Sequence, residues 1–166
     1  MLNPAQILQE SRDTQRISDL SSVQSAIGLM LATASPLPTF ITVPRCIGPA
    51  GCASGVPAVC GGFGTTGCVN NNVRLVNGTG WVGIDLTGTS GGPALSTLPQ
   101  DPTNSTVYYY AYAGVDTSKT YELNARLEST KLRPNMQNDG GDDSTCTTFV
   151  EVTCWYEIGT DPGLDL

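Results

Sequence analysis

The stretch NPAQILQESRDTQRISDLSSVQSAIGLML, residues 3–31, decides how the rest of the chain is read. Ile7, Leu8, Ile17, Leu20, Val23, Ile27, Met30 and Leu31 recur at spacings of three, four or seven, the stripe of an amphipathic helix. Glu10, Arg12, Asp13, Arg16 and Asp19 fall on the opposite face. Asp13 with Arg16, and Arg16 with Asp19, have the spacing of surface ion pairs along one helix. Pro4 suits a first turn, and Pro36 and Pro38 stop the pattern, so one helix is predicted over residues 4–34.

Beyond the helix the composition changes. Residues 35–72 show no period, and CIGPAGCASGVPAVCGGFGTTGC (46–68) sets four cysteines among small residues. A loop of that length inside one domain needs cross-links or a function. Cys46, Cys52, Cys60, Cys68, Cys146 and Cys154 make an even set with no CxxC pair, and the chain has no histidine. Disulfides fit that set better than zinc or redox chemistry, and they imply an oxidising compartment. Sequence alone leaves the connectivity open; the expectation is Cys146 with Cys154 and the first four among themselves.

Residues 73–160 read as strands. VRLV and WVGIDL flank NGTG, a hairpin signal. In VYYYAYA, Val107, Tyr109 and Ala111 alternate with Tyr108, Tyr110 and Tyr112, which predicts one core face and one interface face rather than an adhesive platform. TYELNARLE places Tyr121, Leu123, Ala125 and Leu127 on one face and Glu122, Asn124, Arg126 and Glu128 on the other, as a half-buried antiparallel strand would. TFVEVTCWYEI aligns Val150, Val152, Cys154, Tyr156 and Ile158. The chain is therefore expected to be a single α+β domain over residues 1–166, its helix laid on an antiparallel sheet of three to five strands.

The totals exclude several functions. A net charge of −7 argues against nucleic acid or anionic lipid as partners. No run of about 20 apolar residues is present to span a membrane. GTSGGPALS (88–96) is similar to the nucleophile loop of trypsin-type proteases, but Ser90 has no imidazole to take its proton. The only lysines, Lys119 and Lys131, carry no motif that would replace it, so no enzyme is expected. The sequons at Asn77 and Asn104 are what a chain rich in Asn and Thr contains by chance.

The helical stretch resembles the segment that follows the membrane helix in type IV pilins and type II secretion pseudopilins. A pattern close to RDxxRxxDLxxIQxAL is matched by Arg12, Asp13, Arg16, Asp19, Leu20, Gln24 and Ala26, with Val23 in the Ile position. LPQDPTNSTVYYYAY resembles the LPxDP segment of major pseudopilins, and TYELNARLES, NDGGDDS and YEIGTDP are similar to their closing strands and loop. The Cys-rich insert matches no motif of the family. The family's N-terminal hallmark, a leader, a processing site, a glutamate and a hydrophobic run, is absent from this sequence, and Met1 before Leu2-Asn3-Pro4 reads as a start placed after it.

The resemblance implies a non-enzymatic subunit of a type IV pilus, or else of a secretion pseudopilus, anchored in the membrane before assembly and displayed outside the cell. Its partners would be copies of itself, other pilins and the assembly platform, in a heterologous helical array. Arg12, Asp13, Arg16 and Asp19 become candidates for charge pairing between subunits. NDGGDD, in the region where major pseudopilins hold calcium, makes Asp139, Asp142 and Asp143 candidate ligands. The reading from another class is an exported adhesive or binding module.

Overall fold

The computed structural model describes residues 3–49, 60–63, 67–89, 91–149 and 153–166. The helix α1 runs Pro4–Thr33. Asn3 caps its start by accepting from the Ala5 amide at 3.1 Å, and the Ala34 amide closes its end on the Met30 carbonyl. From Leu20 to Met30 the predicted stripe is buried, whereas Ile7 and Leu8 remain 48% and 59% exposed.

Five strands come after it: β1 (Arg45–Ile47), β2 (Val69–Asn70), β3 (Tyr110–Val115), β4 (Thr120–Ala125) and β5 (Tyr156–Gly159). They form one sheet in the order β2-β1-β3-β4-β5. Three neighbouring pairs are antiparallel, but β1 and β2 run parallel, so the sheet is mixed rather than antiparallel throughout. The segment expected to lack structure thus supplies two strands of its own.

A larger correction concerns residues 73–109. VRLV and WVGIDL form no ladder, only isolated bridges between Asn77 and Asp85 and between Phe40 and Ile84. Gly80 lies so close to the Leu75 carbonyl that a Cβ there would stand 2.2 Å from it. Trp81, Val82, Ile84 and Leu86 are nonetheless buried, as a layer of irregular chain in the main core. Apolar packing and scattered backbone hydrogen bonds, such as Leu86 to Val76 and Trp81 to Val73, hold this segment in place of a regular ladder.

That core joins Leu20, Val23, Ile27 and Met30 of α1 to Tyr110, Tyr112, Tyr121 and Leu123 on one face of the sheet. Each fully buried side chain of this size contributes about 1.5–3 kcal/mol. The other face is not open to water as the alternation in TYELNARLE suggests. Cys46, Cys60, Phe63, Tyr109, Ala111, Ala113 and Trp155 make a second core there, and Glu122, Asn124 and Arg126 are buried beside it. The described part of the Cys-rich insert around Cys60–Phe63 therefore covers the back of the sheet, which lies between it and the helix.

Gly61 shows how closely the insert sits. Its φ is +75°, and a Cβ on it would stand 2.3 Å from the Ala111 Cβ. The Asn124 amide donates to the Gly61 carbonyl at 2.8 Å, and the Gly61 amide donates to the Tyr109 hydroxyl at 3.1 Å. Disulfides join Cys60 to Cys68 and Cys146 to Cys154, and Cys46 is disulfide-bonded as well. Cys52, Ser90, Val150 and Val152 lie outside the described residues.

Candidate functional site

The four charged residues singled out on α1 are not a solvated face. Asp13 and Arg16 are completely buried, because the loop around Asp101 and the end of the segment after β4 close over that side of the helix. Arg16 grips Asp101 with two donors, Nε at 2.6 Å and Nη2 at 3.1 Å. Its Nη1 donates to Asp13 and to Glu128, each at 2.7 Å, and Nη2 also reaches the Thr103 hydroxyl. Asp13 in turn accepts the backbone amides of Glu128 and Ser129, which fixes the chain leaving β4 against the helix. Arg12, half-buried, forks onto Glu128 at 2.6 and 2.7 Å.

Burial works against the charge of Arg16, yet hydrogen bonds to Asp101, Glu128 and Asp13 raise its pKa. Burial likewise pushes Glu128 up, but Arg12 and Arg16 outweigh it and hold the carboxyl below its usual range. The predicted Asp13–Arg16 pair exists, but inside the molecule; the predicted Arg16–Asp19 pair is replaced. Asp19 accepts from the Tyr110 hydroxyl at 2.8 Å and from Gln15. In this fold Asp13 and Arg16 tie the helix to the sheet, while Arg12 and Asp19 keep part of their surface. Asp101 and Glu128 were legible as charged residues but not as partners, since only tertiary structure brings them 85 and 112 positions along the chain to Arg16.

The acidic loop lies against the far end of the sheet. Asp139 accepts the Gly141 amide at 3.1 Å within the loop and the Glu157 amide at 3.0 Å, and the second bond ties the loop to β5. Asp142 is exposed and Asp143 half-buried, its carboxyl pushed up to about 6 by burial and then by the Asp142 charge. Among the described residues, the only three donors close enough to share an ion are the sulfurs of Cys46, Cys60 and Cys68, and all three are in disulfides. Asp139, Asp142 and Asp143 are not gathered into one ligand set. As folded, the loop does not fit a calcium ion held by those three carboxylates.

What the structure does gather there was not legible in the alternating pattern. Glu122 and Glu157 are both about 1% exposed and hydrogen-bonded to each other. Burial raises both; Glu157, which also faces the charges of Glu122, Asp139 and Asp143, is raised further. Burial and the neighbouring charges therefore favour a proton on this pair, shared in the hydrogen bond between the two carboxyls. Glu122 also accepts from Asn124 at 2.7 Å and from the Leu166 amide at 3.2 Å. The pair is an anchor for insert, β5 and the last residues together.

Of the residues weighed for catalysis, Lys119 is paired with Asp116 and donates to the Pro38 carbonyl, and Lys131 reaches Glu10. One concavity of about 710 Å³ opens between the C-terminal turn of α1, the segment 35–41 and the loop 77–88. Among the described residues, no helix is long and apolar enough to cross a membrane. No protein-family model, no curated protein and no solved structure matches the chain.

Proposed function

We propose that this chain is the head of a filament subunit of the type IV pilin kind, exported and displayed at the cell surface. The observation that carries the reading is the division of α1: its second half is buried on the sheet, while Ile7 and Leu8 near its start stay exposed. A helix of this sort, continued at its N-terminus by an apolar segment, would bundle with those of other copies and leave the sheet and insert outside. The disulfides suit that exposed location. Arg12 and Asp19, which retain some surface, are the charged residues placed to meet a neighbouring subunit. A major pseudopilin of a secretion system is the alternative within the same class.

The test begins with the gene upstream of Leu2, then expression of the whole product with its assembly machinery and electron microscopy of the cell surface. About 20–30 codons for a bilayer-spanning apolar helix, and filaments that contain the protein, are the expected result. A secretory signal cleaved just before Leu2, with a monomeric product, would instead support an exported binding module. The cavity of about 710 Å³ is the observation that favours that second reading.

A further inference from the structure

A polar pair is built into the wall of the cavity. Asn77 and Asp85 face each other in an antiparallel bridge, and both line the opening. Each is clamped by the threonine two positions on. Asn77 Oδ1 accepts the Thr79 amide at 3.2 Å and the Thr79 hydroxyl at 2.6 Å. Asp85 Oδ1 accepts the Thr87 amide at 2.9 Å and the Thr87 hydroxyl at 2.6 Å. Both side chains are exposed, and with their Oδ1 atoms held the Asn77 Nδ2 and Asp85 Oδ2 atoms are left over. Among the described residues neither has a hydrogen-bond partner.

A donor thus stands beside an acceptor at the open edge of a cavity whose remaining wall includes Met30, Pro36, Leu37 and Ile41. Its volume of about 710 Å³ is within the range of small-molecule sites, roughly 300–1,000 Å³. The pair selects ligand chemistry. An ammonium group only donates and would meet the N–H of Asn77; a carboxylate or phosphate only accepts and would meet Asp85 in a chain of charge −7. Adjacent hydroxyls do both.

We propose that this cavity binds a saccharide. One hydroxyl of a neighbouring pair accepts from Asn77 Nδ2, the next donates to Asp85 Oδ2, and the C–H face of the ring lies on Pro36 and Leu37. The threonine clamps remove the entropy that two free side chains would lose on binding. The site serves equally on a filament head or on a released module, so it stands independently of the filament reading.

The experiment is a titration of the ¹⁵N-labelled protein with the methyl glycosides of mannose, galactose and N-acetylglucosamine, monitored by amide shifts. At least one glycoside is expected to shift residues 77–79 and 83–88 saturably, with a Kd on the order of 1 mM. Asp85→Asn keeps the Oδ1 clamp but turns the free acceptor into a donor, and weakens binding by about tenfold or more. Gly88→Leu fills the cavity next to Met30 without touching the polar pair, and abolishes the shifts. If Asp85→Asn perturbs the fold, the Gly88 variant carries the test alone. Absence of saturable shifts with all three glycosides overturns the proposal, as do shifts that survive both substitutions. A response at the same residues to acetamide or methylammonium, but to no glycoside, assigns the pair to other chemistry and overturns it too.

Discussion

A buried arginine with three carboxylates is a liability unless every partner is present. Removing one side of such a set leaves the others charged and dry, which costs about 3–5 kcal/mol. Arg16→Ala is therefore expected to lower the unfolding free energy by about that amount in a urea titration, since Asp13, Asp101 and Glu128 all lose a donor. A loss below about 1 kcal/mol would show that these groups are solvated and that the helix is not tied down there. Glu157 is the opposite case. It holds a proton that the unfolded chain releases, so Glu157→Gln, which mimics the protonated acid, should stabilise at neutral pH by at least about 1.4 kcal/mol, the worth of one pKa unit. Neither role was legible in sequence. Arg16 looked like a surface residue because spacing on a helix reports a face, not what covers it.

At the scale of elements, the helix was readable almost to the residue, since its period, Pro4 in the first turn and the prolines after it all agree. It also contains one local weakness. Gly28 is exposed in mid-helix with nothing within 4 Å of an added Cβ. Gly28→Ala is expected to raise stability by about 0.5–1 kcal/mol, measured by thermal or urea unfolding. Strands β3, β4 and β5 fall on the alternating segments but are shorter than these, residues 107–109, 126–128 and 153–155 lying outside them, and β4 was given the wrong environment on one face. Alternation tells which residues share a side; it does not tell whether that side meets water or an insert from 60 residues earlier. The layer around Trp81 was misread because hairpin residues at 77–80 coincide with a tight glycine approach to Leu75. Gly61→Ala tests how the insert is seated. A methyl group there meets Ala111 and a positive φ, so a loss of about 1–3 kcal/mol is expected, with faster proteolysis of the insert. Unchanged stability would mean that the insert is not packed on the sheet.

The whole molecule responds to pH in two opposed ways. Glu128 is held below its ordinary range, so its contribution is present above the unfolded carboxylate pKa and is lost as pH falls through the folded value. Asp143 and Glu157 are raised, so the folded state binds protons that the unfolded state has given up, and stability declines as pH rises. Tm is thus expected to be higher at about pH 5 than at about pH 8, with Glu157→Gln flattening the difference. A Tm that rises over that interval would place the protons elsewhere. Calcium at millimolar concentration is expected to leave Tm unmoved, because Asp139, Asp142 and Asp143 are not gathered into one ligand set. A calcium-dependent rise abolished by Asp143→Asn would return that loop to the ligands. The expected pairing of Cys146 with Cys154 agrees with the structure, as does a Cys60–Cys68 bond within the first four cysteines.

The seating of the insert also fixes an order in time. Its platform is made of Ala111, Asn124 and Trp155, all of which leave the ribosome well after Cys46, Cys60 and Cys68. The sulfurs of Cys46 and Cys68 end only 4.0 Å apart, so early oxidation has neighbouring wrong answers available. Until β3 and β4 have formed, Tyr109 and Asn124 are not in place to hold Gly61 and so to choose among them. Correct pairing in this half of the chain is thus expected to wait for residues 48 and 63 positions downstream of Gly61.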